Sequence, residues 1–96
     1  MPTTDLATGF SSVPKLVYDG NINPANITAL TTSDQTFTIR GLTQDMLILL
    51  AMPSLEAQIT FSNAHVSAKN TLKIRFLNAG GPDVDPADQR IILYAL

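Results

Sequence analysis

The 96-residue chain contains no cysteine, one histidine and one glutamate, and only 15 % of its residues are charged. The lack of cysteine excludes disulfides, thiolate zinc sites and thiol nucleophiles together. Eight acidic residues against six basic ones give a formal net charge of −2. No basic surplus is left to neutralise phosphates, so a nucleic-acid partner is not expected. No window approaches eighteen uninterrupted apolar residues, the length a membrane-crossing helix needs, so no membrane partner is expected. The start, Met1-Pro2-Thr3-Thr4-Asp5, lacks the basic residues and apolar stretch of a signal peptide.

Reactive constellations are equally sparse. A Ser-His-Asp triad would have to be built around His65, which sits in Asn63-Ala64-His65-Val66-Ser67 with no Gly-x-Ser-x-Gly elbow in the chain. His65 reads as an ordinary surface or sheet histidine. Glu56, next to Leu55, has no obvious partner for paired-carboxylate chemistry, and a domain of this size has little cleft for a sugar. Gly80-Gly81 is a lone pair in a loop and no phosphate cradle. Asp83-Val84-Asp85-Pro86-Ala87-Asp88 is the one acidic cluster. Three carboxylates in six residues suit a hard cation, but Pro86 interrupts and no glutamate closes an EF-hand loop. Aspartate beside proline and glycine is also what a solvated turn uses, and that reading of Asp83, Asp85 and Asp88 is preferred. Lys73 and Arg75 share one strand face with Lys69 nearby, which reads as a solvated face before a docking patch. No catalytic residue, metal site, cofactor or enzymatic activity is expected.

What is present is an ordinary 45 % of hydrophobic residues in a chain of single-domain length. Residues 1–14 read as an arm, with Leu6, Phe10 and Val13 among Thr, Ser, Gly9 and two prolines; such a segment orders only when docked. From Lys15 onward, short apolar runs are separated by turn chemistry, and residues 15–96 form the folded domain. Leu16-Val17-Tyr18 is expected to stop at Asp19-Gly20, a strong turn dipeptide. Asn21 to Asn26 reads as a loop, and Ile27 to Thr31 as a short strand before Thr32-Ser33-Asp34. Gln35 to Arg40 alternates polar and apolar residues and halts at Gly41, a half-buried strand.

Asp45 to Met52 is almost wholly apolar and ends at Pro53. Leu, Met and Ala suit a helix too, but the length and flanking residues favour a strand buried on both faces. Gln58 to Ser62 and Leu72 to Phe76 alternate, with a short strand at Ala64 to Ser67 between them and a turn at Ala68-Lys69-Asn70. Phe61-Ser62-Asn63-Ala64 and Phe76-Leu77-Asn78-Ala79 share a pattern that reads as two strand exits, each asparagine bonding the departing backbone. Asn78 to Gln89 is a loop, and Arg90 to Leu96 closes the chain as a strand apolar on both faces. Strands every eight to twelve residues, with no gap long enough for a crossover helix, predict an all-β fold. The expectation is a small antiparallel β-sandwich of seven or eight short strands.

Two runs break the alternation that a monomeric sandwich should show. Met46 to Met52 and Ile91 to Leu96 would each set a row of large apolar side chains outside the core. Either the arm and the long loop roof them, or their outer faces meet another subunit. Small domains bury little surface, and without disulfides or metal the remaining common support is oligomerisation. The candidate interface residues are therefore Leu6, Phe10 and Val13 in the arm with Leu47, Leu49, Ile92 and Tyr94 on the two strands.

The string Gly41-Leu42-Thr43-x-Asp45-Met46, then Pro53-Ser54-Leu55 and Ile59, continues as Asn63-Ala64-x-Val66-Ser67-Ala68-x-Asn70-Thr71-Leu72-x-Ile74-x-Phe76-x-Asn78 and Asp85-Pro86. It resembles a β-domain recurring in virion proteins of tailed bacteriophages, which stands in head decoration (cement) proteins, head fibres and related appendages. The resemblance covers about residues 35 to 96. It implies a structural protein on the outer surface of the capsid, partnered by the major capsid protein and by itself as a homotrimer, and it transfers no catalytic residue. The alternative is a head-fibre or appendage module that binds a host surface glycan or receptor. Exposed loop aromatics would favour that alternative, and Phe10 alone lies outside an expected strand. A fibre would also need a longer shaft or a separate receptor-binding part, so a compact decoration protein is expected.

Overall fold

A computed structural model describes residues 14–56 and 58–96. The arm anchors Leu6, Phe10 and Val13 lie outside the described residues. Among these residues the fold is all-β without helix, with six strands: β1 (Lys15–Ile22), β2 (Thr32–Thr38), β3 (Ile48–Ala51), β4 (Ile59–Ala68), β5 (Thr71–Asn78) and β6 (Gln89–Ala95). They form two three-stranded antiparallel sheets, ordered β1-β6-β3 and β2-β5-β4. This is the expected small sandwich, with fewer strands than the sequence suggests.

The period of two explains the core. Along β6, Gln89, Ile91, Leu93 and Ala95 point inward and are buried; along β5, Leu72, Ile74, Phe76 and Asn78 do the same. Each is the middle strand of its sheet, so these rows have neighbours on both flanks as well as across the sandwich. Ile27, Ile39, Leu42, Ile59 and Val66 close the core from loops and edge strands.

Several expected boundaries move. Asp19-Gly20 is no turn: β1 runs straight through it, with Asp19 opposite Ile92 and Gly20 opposite Ile91. Cross-strand pairing overrides the local dipeptide here, and Gly20 serves instead as a gap. A Cβ there would lie 2.6 Å from the Tyr18 hydroxyl oxygen, so the missing side chain makes room for that ring. Ile27–Thr31 is not a strand. Only Ile27 pairs, by mutual backbone bonds with Val84 at 2.7 and 3.0 Å, and the chain then turns through a Thr31 N–H to Thr28 carbonyl bond. β2 starts at Thr32 and not at Gln35, because β5 offers a full ladder from Leu77 to Thr71. The two strands expected at 58–62 and 64–67 are one, β4, with irregularities between Phe61 and Asn63 and between Val66 and Ala68. Asn63 therefore lies within a strand, at a bulge, and only Asn78 marks a strand exit.

Asp45–Met52 is indeed strand and not helix where it is regular, but only over Ile48–Ala51, and it is not buried on both faces. β3 is an edge strand and alternates half-buried with exposed residues. The preceding residues turn instead, with the Thr43 hydroxyl bonded to the Asp45 carboxylate and Met46 N–H donating to the Thr43 carbonyl.

Two buried or half-buried asparagines fasten the loops. Asn70, in the left-handed region at φ 60°, closes the β4–β5 hairpin. Its Oδ1 accepts the Gly41 N–H at 2.8 Å, its carbonyl accepts Ile39 N–H, and its N–H donates to the Leu42 carbonyl. The Gly41-Leu42 and Asn70-Thr71-Leu72 portions of the sequence pattern thus meet at one turn. Asn78 is fully buried; its Nδ2 donates to the carbonyls of Ile27 and Pro82, and its Oδ1 accepts from Gly80 N–H and Gln58 Nε2, all at 3.1 Å.

Candidate functional site

The two outer faces of the sandwich differ sharply in chemistry. On the β1-β6-β3 sheet, Tyr94 of the middle strand stands opposite Leu16 on one side and Leu49 on the other. The next row pairs Leu47 with Leu96, joined by a Leu96 N–H to Leu47 carbonyl bond of 2.9 Å. Two residues back along β6, half-buried Ile92 lies opposite Ala51. Leu47 is 64 % exposed, Leu16 54 %, Leu49 50 %, Leu96 48 % and Tyr94 37 %. Contiguous apolar surface of this kind on a soluble domain usually marks an interface or a binding groove.

The expected interface residues Leu47, Leu49, Ile92 and Tyr94 therefore share one face, whereas Leu6, Phe10 and Val13 lie outside the described residues. Sequence reasoning missed Leu16 on that face, and it included Leu96 only as the end of the run Ile91 to Leu96. Leu16 was legible only as the start of a strand, and no local signal says that it would pair with Tyr94. The far end of the same face is polar: Arg90 Nε and Nη2 hold Asp19 Oδ1 and Oδ2 at 3.0 and 2.8 Å. That bidentate bond holds the Asp19 carboxyl below its usual range and raises Arg90.

The outer face of β2-β5-β4 carries charge. One row runs Asp34–Arg75–Asn63 and the next Thr36–Lys73–His65. Arg75 Nε and Nη2 grip Asp34 Oδ1 and Oδ2 at 2.7 and 3.1 Å, and Lys73 Nζ lies 3.7 Å from Oδ2. The guanidinium bond, aided by the Arg75 and Lys73 charges, keeps the Asp34 carboxyl below its ordinary value, and Arg75 is raised in turn. Asp34, Asn63, His65, Lys73 and Arg75 line a shallow open depression. His65 stands here, exposed on a strand, as a sheet-face histidine. Lys69 lies in the hairpin turn, apart from the Lys73 and Arg75 pair.

In the acidic loop Asp83 bonds a distant amide and not a local one. Asp83 Oδ1 accepts the Ala29 N–H at 2.8 Å, tying the loop to the segment after Ile27. Among the described residues no three metal-type side chains converge. Glu56 Oε1 accepts from Ala87 N–H and from Gln89 Nε2, each at 3.4 Å; both partners are amides and neither is a second carboxylate. The contact is tertiary, since the loop entering β6 folds back on the segment before β4.

Neither a protein-family model, nor a curated protein, nor a solved structure matches the chain.

Proposed function

We propose that the protein is a structural virion protein of a tailed bacteriophage that decorates the outer capsid surface and cements it by bridging neighbouring major capsid subunits. Carrying this reading is the row Leu16–Tyr94–Leu49 with Leu47 and Leu96 beside it: an apolar patch on one sheet face that stays exposed among the described residues. Such a patch suits an interface with an apolar centre and polar rim, which needs no reactive group. The sequence pattern from Gly41 to Pro86 supports the virion setting.

In this reading the apolar face meets a second copy, and closed rotational symmetry, a homotrimer, lets one patch serve every subunit. Residues 1–14 are the capsid grip. Extended at about 3.3 Å per residue they reach roughly 45 Å, with Leu6, Phe10 and Val13 as anchors. Backbone amides of the arm can add to an edge strand of the capsid protein.

Two measurements test it. Light scattering at high micromolar concentration should report a trimer that Leu49→Lys with Tyr94→Lys converts to monomer without change in circular dichroism. A wild-type monomer, or a double variant that stays associated, refutes the apolar face as the self-contact. Heads lacking the protein should gain heat resistance from the full chain but not from one without residues 1–14; equal protection by both refutes the arm as grip.

A further inference from the structure

We propose that the depression on the outer face of the β2-β5-β4 sheet binds a single carboxylate-bearing sugar, such as a uronate or sialate, on the side of the domain opposite its apolar face. The donor set points there. Lys73 and Arg75 bring two positive charges against the single negative charge of Asp34, a local cationic excess on a chain whose formal net charge is −2. Both Asp34 oxygens are already engaged by Arg75, and Lys73 makes only a loose 3.7 Å contact. The Lys73 ammonium and the outer guanidinium nitrogen of Arg75, Nη1, therefore keep donors to offer.

Asn63 and His65 flank them on β4, directly opposite Arg75 and Lys73, and their side chains have no hydrogen-bond partner among the described residues. Directly paired side chains in a sheet lie about 5 Å apart at Cβ, so one small ligand spans both rows. The fork between Asp34 and Arg75 matters mechanically: it fixes the guanidinium before any ligand arrives, which lowers the ordering cost of binding.

The same face explains why the ligand must carry charge. The two phenylalanines of these edge strands, Phe37 and Phe61, pack against the core instead of outward. No phenylalanine, tyrosine or tryptophan lines the depression for a neutral sugar to stack on, so affinity has to come mainly from charge-assisted hydrogen bonds to a carboxylate. Hydroxyls of the same sugar are matched by the Asn63 amide and by Thr36, next to Lys73 in the row. The depression is shallow and open, so one such residue lies across it with its carboxylate on the Lys73 and Arg75 donors, and a peptide side chain finds little to bury there.

The test uses the full chain, labelled with nitrogen-15 and titrated with sodium glucuronate and with N-acetylneuraminate in low salt. Methyl glucoside and sodium acetate are the controls. Shift changes confined to β2, β4 and β5, saturating at about millimolar concentration and weakening at 0.5 M salt, are expected. Lys73→Gln should weaken binding about fivefold while Lys15→Gln, the same charge change on β1, leaves it unaltered. Equal response to methyl glucoside or to acetate, shifts spread over the surface, no saturation by 20 mM (about an order of magnitude above the expected midpoint), or equal loss in both lysine variants overturns the proposal. Because Lys73 lies outside the apolar face, this outcome is independent of the self-association test.

Discussion

Asn78 is where a single substitution should cost most for its size. Asn78→Ala deletes four hydrogen bonds at a fully buried position. Two acceptors keep second partners: the Ile27 carbonyl retains Val84 N–H and the Pro82 carbonyl retains Gln58 Nε2. Losing those two bonds costs about 0.5–1 kcal/mol each, whereas Gly80 N–H, left without its acceptor, costs about 1–3 kcal/mol. Gln58 Nε2 keeps its bond to the Pro82 carbonyl, so the sum is about 2–5 kcal/mol, a large share of the 5–15 kcal/mol or so that a domain has. Urea unfolding should move to a midpoint lower by about 1–3 M with an unchanged slope.

Asn78→Asp sharpens the argument. It keeps the acceptor but sets an oxygen against two carbonyl oxygens and buries a charge, so at pH 7 it should be less stable than Asn78→Ala. Burial raises the new carboxyl's pKa above its unfolded value, so its penalty grows as pH rises through that range and shrinks below it. The Asp variant should accordingly recover stability relative to Ala as pH falls toward about 4. A cost for Asn78→Ala below about 0.5 kcal/mol, or an Asp variant no worse than Ala at pH 7, would falsify the view that this side chain pins the loop.

Other outcomes follow from the same structure. In Asp34 the folded carboxyl is depressed by Arg75, so its contribution is present above the unfolded pKa near 4 and is lost as pH falls through the folded value. The melting-temperature difference between wild type and Asp34→Asn should thus persist at pH 7 and close below about pH 4; a gap constant down to pH 2.5 contradicts it. Asn70→Ala places a Cβ-bearing residue without a compensating side chain at φ 60° and removes the acceptor of Gly41 N–H. It should lower stability by about 1–3 kcal/mol in chemical denaturation, with Asn70→Gly less damaging because glycine tolerates the backbone angle. Equal losses for the two variants would assign the whole effect to the hydrogen bond and none to the angle.

The sequence determined the class of the fold through short-range physics. Alternation in Gln35–Arg40, Gln58–Ser62 and Leu72–Phe76 specifies which side chains share a face, and spacing without room for a crossover helix leaves only antiparallel pairing. It also marked Leu47, Leu49, Ile92 and Tyr94, because those residues break the alternation a lone sandwich needs. Tertiary structure decided the rest. Asp19-Gly20 has turn chemistry, yet β6 offers it a ladder and the chain stays extended. Ile27–Thr31 has strand chemistry, yet only Val84 is there to pair with it. That Leu16 and Leu96 join the apolar face, that Glu56 meets Gln89, and that Asp34, Asn63, His65, Lys73 and Arg75 surround one depression all depend on which strands become neighbours. Strand order is a long-range choice among pairings, and local pattern carries no record of it.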